Sequence, residues 1–212
     1  MTSGSKIGAL LCALALSFCA SASAPDATDA LIAQLGRPAP ARTAFAEARF
    51  MQVLERPLVV SGELAWLGGD TLERHVTKPH EETARIADGK VTQQREGKGE
   101  RSFSLERAPQ LKVLVDSFVA LLGGDAGRLR KAFAIARRGD AAGSWTLTLT
   151  PRDLDVARTV ASIRIDGEGK QARCMWMQEA DGDVAVDLLG SLAARMPAAP
   201  TREALTALCQ GQ

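Results

Sequence analysis

The sequence has no tyrosine and no asparagine, and aromatic residues make up only 4% of its 212 residues. Without asparagine it carries no N-glycosylation sequon. It also has little net charge, because 26 Lys and Arg residues oppose 25 Asp and Glu residues. No global field therefore draws the protein to nucleic acid or to an anionic membrane. The 46% hydrophobic content is ordinary for a globular domain and excludes a disordered, a collagen-like or a polytopic membrane protein.

The first 24 residues have the pattern of a secretory signal peptide. Lys6 gives a short positive start, the segment from Ile7 to Ala20 is apolar, and small residues follow. This apolar run of about 14 residues is shorter than the ~20 residues that span a bilayer. Cleavage is expected after Ala22 or Ala24. Residues 1–24 are therefore predicted to be a leader that directs export, and residues 25–212 a single mature domain.

Cysteine is scarce, with four residues in all, two of them in the predicted leader. Cys19 follows the bulky Phe18, where lipidation needs a small residue, so a lipid anchor is not expected. Export would leave Cys174 and Cys209 in an oxidising compartment, which favours a disulfide between them. Two unpaired, buried thiols are the alternative. Two thiols without a neighbouring histidine do not indicate a metal site.

Hydrophobic periodicity predicts two helices within an antiparallel meander. The first helix is expected over Asp26 to Leu35, and an amphipathic one over Pro109 to Leu122. Alternating residues predict half-buried strands over 46–54 and 58–66. Crossover helices for a parallel sheet are missing, so the expected fold class is α+β.

Asp-Gly pairs mark the expected hairpin turns, at Asp88-Gly89, Asp166-Gly167 and Asp181-Gly182. A last helix is expected to begin at Thr201. Further strands are expected at Leu72 to Thr77, Thr83 to Ala87, Lys90 to Arg95, Arg101 to Glu106, Phe133 to Arg138, Trp145 to Thr150, Val156 to Ile165, Lys170 to Glu179 and Val184 to Leu188.

Four short segments, in this order and spacing, resemble the LolA-type periplasmic carriers of outer-membrane lipoproteins. They are Phe50-Met51-Gln52, Gly62-Glu63-Leu64-Ala65-Trp66, Thr77-Lys78-Pro79 and Asp88-Gly89-Lys90. The resemblance runs from about Ala44 to Leu189. It implies an incompletely closed antiparallel β-barrel, a half-barrel, whose concave apolar face is covered by helices.

The resemblance also implies a function. Such carriers hold the acyl chains of a lipoprotein in the concave face and leave its polypeptide outside. It therefore implies a monomeric, non-enzymatic carrier without a cofactor, which receives cargo from an inner-membrane donor and passes it to an outer-membrane acceptor. Related branches carry other lipids, sense stress, or accompany machinery for lipid and pigment biosynthesis and export. A carrier or accessory for a non-protein lipid in such a system and a lipid-sensing regulator therefore remain alternatives.

One departure from the family concerns the lid. The family's Arg-Pro, whose Arg latches the lid helix through backbone carbonyls, falls here on Gly68-Gly69. The segment from Pro109 to Gly124 is therefore expected to open readily. Leu114→Asp or Phe118→Asp is expected to abolish lipid binding and to leave the fold intact.

Eight apolar residues are predicted to line or border one lipid-binding space. They are Phe50, Leu64, Trp66, Leu114, Phe118, Phe133, Trp145 and Trp176.

Catalytic and metal-binding interpretations are weaker. The segment Gly167 to Ala172 fits G-x-G-x-x-A, but it follows a predicted turn and leads into a strand rather than a helix. His75, His80 and the acidic pair Glu81-Glu82 are better explained as surface residues than as metal ligands. No G-x-S-x-G motif is present. A secreted hydrolase remains open, because a catalytic triad need not be local in sequence.

Overall fold

A computed structural model describes residues 26–211, so the predicted leader, residues 1–24, lies outside the described residues. The helices are α1 (Ala27–Leu35), α2 (Pro109–Leu122), α3 (Ala126–Ala132), α4 (Leu154–Ala157) and α5 (Arg202–Cys209), with 3₁₀ turns at Leu105–Arg107 and Gly190–Arg195. The strands are β1 (Ala41–Phe50), β2 (Leu58–Gly68), β3 (Thr71–Lys78), β4 (Glu82–Ala87), β5 (Lys90–Arg95), β6 (Arg101–Ser104), β7 (Phe133–Gly139), β8 (Ser144–Pro151), β9 (Val160–Glu168), β10 (Gln171–Glu179) and β11 (Val184–Leu189).

All of these strands form one antiparallel sheet of eleven strands, in the order β6-β5-β4-β3-β2-β1-β11-β10-β9-β8-β7. The first and last strands of the chain order, β1 and β11, pair at its centre. Strands β6 and β7 are its two edges and do not pair with each other. The predicted α+β fold with an incompletely closed antiparallel sheet is therefore confirmed.

Helices α1 and α2 lie where the periodicity predicts them, and their C-terminal ends meet. Asp26 caps α1 by accepting a hydrogen bond from the Thr28 backbone N–H at 2.8 Å. The N–H of Arg37 donates to the Leu122 carbonyl of α2 at 2.9 Å. Gly124 allows this approach, because a Cβ there would lie 3.0 Å from the Ala33 carbonyl oxygen, and its φ of +70° suits glycine.

Two short helices are missing from the sequence expectations. Asp125 caps α3 by accepting from the Arg128 N–H at 2.8 Å. Asp153 caps α4 by accepting from the Asp155 and Val156 N–H groups. The predicted strand from Val156 to Ile165 is therefore wrong at its start, because the capped turn occupies its first residues and β9 begins at Val160.

The Asp-Gly pairs predicted as hairpin turns do not all form turns. Asp88-Gly89 forms the predicted two-residue turn between β4 and β5, with φ of 51° and 69°. The turn predicted at Asp166-Gly167 is wrong, because both residues lie inside β9. The Trp145 ring packs over Gly167, where a Cβ would lie 2.1 Å from the indole carbon Cζ2. This glycine thus serves packing and not a turn.

Other boundaries also differ from the expectations, and the first strand, expected over 46–54, is β1 at Ala41–Phe50. Asp181-Gly182 lies in a four-residue loop, 180–183, rather than a two-residue turn. The strand expected over Arg101 to Glu106 ends at Ser104, whose hydroxyl accepts from the Glu106 N–H at 3.2 Å and starts a 3₁₀ turn.

The two faces of the sheet carry separate hydrophobic clusters. The inner cluster joins helices α1 to α4 to strands β7 to β10, and its buried members are Leu31, Ile32, Leu35, Leu114, Ala120, Leu129, Phe133, Trp145, Leu147, Leu149, Val156, Val160, Ile163 and Ile165. The outer cluster joins α5 to the opposite face of β1, β10 and β11, and its buried members are Ala48, Cys174, Trp176, Val184, Val186, Leu188, Leu192, Leu205 and Cys209.

A disulfide between Cys174 and Cys209 lies within the outer cluster, with the two Cα atoms 5.7 Å apart. It ties α5 to β10. Thr201 caps α5 by accepting from the Ala204 N–H at 3.1 Å. The helix predicted to begin at Thr201 is therefore present.

Candidate functional site

The inner face of strands β2 to β6 carries an apolar surface that lies outside the inner cluster. We call it the open surface. Its members share one face by strand register, since Trp66 pairs with Leu72, Leu72 with Ile86, Ile86 with Val91 and Val91 with Phe103. They are Leu58, Val60, Leu64, Trp66, Leu72, Ile86, Val91 and Phe103.

Most of these side chains are half-buried rather than buried. Leu58 is 52% exposed and Phe103 is 37% exposed, whereas Val91 in the middle of β5 is only 4% exposed. The other face of the same strands is polar and carries ion pairs such as Arg42 with Glu63 at 2.5 Å. An apolar face left partly in water is the feature of this half of the sheet that packing alone does not explain.

Helix α2 borders the open surface as well as the inner cluster. Its residues Leu114 and Ala120 belong to the inner cluster. Val115 and Val119 are also buried, at 4% and 6% exposure, but lie outside both clusters. At the C-terminal end of α2, a Cβ on Gly123 would lie 4.0 Å from the Trp66 ring. The helix therefore forms one wall beside the open surface.

The structure brings six of the eight predicted lipid-binding residues to the inner face. Leu114, Phe133 and Trp145 are buried in the inner cluster, and Phe118 packs against it. Leu64 and Trp66 belong to the open surface. The six are thus divided between a closed core and an exposed surface, and only the second is open to a ligand.

Phe50 and Trp176 lie on the opposite face. Trp176 is a member of the outer cluster, and Phe50 packs against it. Strand alternation gives the reason, because Phe50 pairs with Val184, two residues before Val186, the partner of Trp176. The prediction that all eight residues border one apolar space is therefore wrong for these two.

The turn that replaces the family's latch is held by a different contact. Gly68 and Gly69 have φ of +103° and +53° in the turn between β2 and β3. The Trp66 indole N–H donates to the Gly69 carbonyl at 3.0 Å. The turn therefore orients Trp66 on the open surface.

The expected effect of Leu114→Asp needs correction. Leu114 is 8% exposed and lies among buried residues from α1, α3 and the sheet. A carboxylate there would be buried without a partner, which is costly. This substitution would therefore unfold the protein rather than act on lipid binding alone.

A charged cluster lies where the open surface meets the covered half of the inner face. We call it the central cluster, and it consists of Glu47, Arg49, Arg74, Glu179 and Asp187. Glu47 and Asp187 are direct cross-strand neighbours on β1 and β11. Arg74 donates to Glu47 at 3.1 Å, and its guanidinium lies 4.8 Å from the centre of the Phe45 ring. Sequence reasoning missed this cluster, although Asp187 interrupts the otherwise apolar strand β11 and was a visible signal.

Asp187 is the unusual member of the central cluster. It is 5% exposed, and within residues 26–211 no side chain or backbone group donates a hydrogen bond to it. Burial raises the pKa of Asp187 to about 8, with a further contribution from the negative charge of Glu47. The charged form of this carboxyl group is therefore disfavoured in the folded protein.

A family model described as "Outer membrane lipoprotein carrier protein LolA-like" matches residues 19–212. The chain belongs to this LolA-like family. A search of curated proteins gave no match.

Three solved structures show similarity to this LolA-like chain. A LolA superfamily protein from Nitrosomonas europaea has 10% identity and a TM-score of 0.38, over 76% of this chain and 89% of that one. A DUF1329 family protein from Desulfovibrio piger has 8% identity and a TM-score of 0.31, over 77% and 88%. The MucA/MucB complex of Pseudomonas aeruginosa has 14% identity and a TM-score of 0.31, over 83% and 58%.

The residues considered as metal ligands lie on a hairpin end. His75 Nε2 lies 3.1 Å from Glu81 Oε1, and both side chains are exposed. Among residues 26–211, no three His, Cys, Asp or Glu side chains are grouped so as to hold a metal ion. No helix in the same part of the chain is long and apolar enough to cross a membrane.

Proposed function

We propose that this LolA-like protein is a periplasmic carrier that binds the acyl chains of a lipoprotein or lipid on the open surface. The observation that carries the proposal is the row of half-exposed apolar side chains on the inner face of β2 to β6, beside α2. The family membership and the predicted leader support the cargo class and the compartment.

Burial supplies enough free energy for such binding. Each CH₂ group that leaves water for an apolar surface contributes roughly 0.8 kcal/mol, so part of one acyl chain already gives useful affinity. The surface is open at its edge, where Leu58 and Phe103 are exposed. An open surface releases cargo as readily as it accepts it, which a carrier between an inner-membrane donor and an outer-membrane acceptor requires.

In this proposal the covered half is a scaffold and not a lid. Residues from α1, α2 and α3 are part of one buried cluster with β8 and β9. Opening α2 would expose that core, so acyl chains bind without it. The protein is proposed to act without catalysis, since binding and release need no bond to be made or broken.

A pair of substitutions on one strand tests the proposal. Ile86 lies on the inner face of β4, and Thr83 on the same strand lies on the outer face, opposite His75. Ile86→Asp is expected to abolish binding of lysophosphatidylcholine, measured by titration calorimetry, because it places a charge on the acyl-binding surface. Thr83→Asp is the matched control and is expected to bind like the wild type. Equal binding by both variants, each shown to be folded by circular dichroism, would contradict the proposal.

The cargo and the compartment need a separate experiment. The tagged protein, expressed in a Gram-negative host, is expected in the osmotic-shock fraction with a mature N-terminus near residue 23 to 25. Mass spectrometry of the purified protein is expected to find a co-purified acylated molecule and to identify it. A cytoplasmic protein that retains its leader, or a purified protein free of lipid, would contradict the proposed role.

A further inference from the structure

We propose that the central cluster is a subsite for the protonated amine of an amphiphile's headgroup, held between the carboxyl groups of Glu47 and Asp187. The inference rests on the proposed function, because the acyl chain of the same molecule would lie on the open surface. It adds a chemical preference for the headgroup, which apolar burial cannot provide.

The position of the cluster fits an amphiphile. Arg74 pairs across the sheet with Leu64 of the open surface, and Arg74 contacts Glu47. Glu47 in turn lies opposite Asp187 on the neighbouring strand. A molecule whose acyl chain lies along Leu64 and its neighbours can therefore place its polar end next to the two carboxyl groups.

The carboxyl groups of the cluster are not fully used by the protein. Asp187 is only 5% exposed, and the part of the chain that the structure describes supplies its carboxyl group with no hydrogen-bond donor. Burial makes the charged form of this carboxyl group costly. A ligand that brings a donor to Asp187 would remove that cost.

The charges favour a cationic donor over an anionic one. The cluster contains three carboxyl groups and two arginines, and both arginines already have carboxylate partners. Arg74 contacts Glu47, and Arg49 lies 3.5 Å from Glu47 and 3.6 Å from Glu179. With Asp187 ionised, the cluster therefore carries one uncompensated negative charge, which an ammonium group would neutralise.

The cluster can also be reached from solvent. Glu47 is flanked by Arg49 and Arg74, whose side chains are 39% and 33% exposed. The contacts of Arg49 are longer than ordinary hydrogen bonds, so little holds this side chain in place. Displacement of Arg49 would expose the carboxyl pair, and a phosphate in the headgroup would give the arginine a new partner.

The test uses three lysolipids that share one acyl chain and differ in the headgroup: lysophosphatidylethanolamine, lysophosphatidylcholine and lysophosphatidylglycerol. The ethanolamine compound carries an ammonium that donates hydrogen bonds, whereas the choline compound carries a cation that does not. The wild-type protein at pH 8 is expected to bind the ethanolamine compound about tenfold more tightly than the choline compound, the ratio for one charge-assisted hydrogen bond. The preference for the ethanolamine compound is expected to shrink at pH 6, because Asp187 must then release a proton to the solvent when the ammonium group binds. The charged groups that face Asp187 are Glu47, Arg49, Arg74 and Glu179.

Asp187→Asn keeps the shape of the side chain and removes its charge, so it is expected to abolish the preference for the ethanolamine compound over the choline compound. Glu47→Gln is the second variant, with the same expectation. Asp166→Asn is the control, since Asp166 is buried on the opposite face and hydrogen-bonded to Thr146. Equal affinities for the ethanolamine and choline compounds, a preference for the glycerol compound, or a preference that survives both variants would overturn the inference and leave the proposed carrier function standing. Failure to bind any of the three compounds would overturn both.

Discussion

The covered and open halves of the inner face have the same alternating pattern but different surroundings. In the covered half, Leu147, Leu149 and Ile163 lie under helices and are at most 2% exposed. In the open half, Leu64 and Trp66 are alternate residues of β2 that face the same side of the sheet and remain half-exposed. The alternation predicts which residues face inward, but the helices decide which of them become core. Only the inward-facing residues of the open half are therefore available to a ligand.

The largest expected effect is on the core of the covered half. Phe133 is fully buried there, so Phe133→Ala is expected to lower the free energy of unfolding by ~3–5 kcal/mol, through lost burial and a cavity. Urea unfolding measures this change. A loss below about 1 kcal/mol would mean that the covered half is loosely packed, and the contrast between the halves would fail.

Loss of the disulfide should affect the outer cluster without affecting binding. The bridge joins residues 35 positions apart in the sequence, and Cys174→Ser with Cys209→Ser is expected to cost ~3–4 kcal/mol of stability in the chain-entropy model. Lysolipid affinity should stay unchanged, because the bridge lies on the face opposite the open surface. Two free thiols in the native periplasmic protein would contradict the bridge itself.

A glycine within β9 offers a sharper test of the packing in the covered half. A Cβ on Gly167 would lie 2.1 Å from the Trp145 ring and 2.5 Å from the Gln171 carbonyl oxygen. Gly167→Ala is therefore expected to cost ~1–3 kcal/mol of stability by overpacking. Gly143→Ala is the control, since nothing lies within 4 Å of a Cβ at that position. The same thermal shift for both variants would refute the contact.

The boundary between the halves should give the protein a dependence on pH. The pKa of Asp187 rises from 3.8 to about 8 on folding, so between these values the folded state holds a proton that the unfolded state has lost. The contribution of protonated Asp187 to the free energy of unfolding is therefore complete below pH 4. It is lost as the pH rises towards 8, at up to ~1.4 kcal/mol per pH unit. The free energy of unfolding of the wild type minus that of Asp187→Asn, measured in urea from pH 5 to 7.5, is expected to show this slope. A difference that does not change with pH would show that Asp187 is ionised in the folded protein.

The smallest effect on stability is expected on the open surface. Leu64→Ala should cost only about 1 kcal/mol of unfolding free energy, because the side chain is already half in water. Its lysolipid affinity should fall roughly fivefold, by the same free energy. Leu149→Ala is the matched control in the covered half, where stability should fall and the affinity of the folded protein should not. Unchanged affinity in Leu64→Ala would remove this residue from the binding surface.

The sequence predicts the inner-face residues better than it predicts their environment. Period-two alternation places Leu64 and Trp66 on one face, and helical spacing defines α2 at both ends. The sequence pattern does not predict the short helices. Helix α4 has only four residues, and its N-cap residue Asp153 is equally typical of a turn. Phe50 and Trp176 are placed on the wrong face because alternation fixes relative and not absolute orientation. The Glu47–Asp187 pair depends on the pairing of the first and last strands, which local pattern cannot show.

The measurement that tests the central claim most directly is photo-crosslinking with a lysophosphatidylcholine that carries a diazirine in its acyl chain. After irradiation and proteolysis, mass spectrometry identifies the labelled residues. The labels are expected on the inner face of β2 to β6, at positions such as Leu64, Leu72 and Ile86, and on the adjoining side of α2. Labels concentrated on the outer cluster, or among the buried residues of β8 and β9, would contradict the assignment of acyl-chain binding to the open surface.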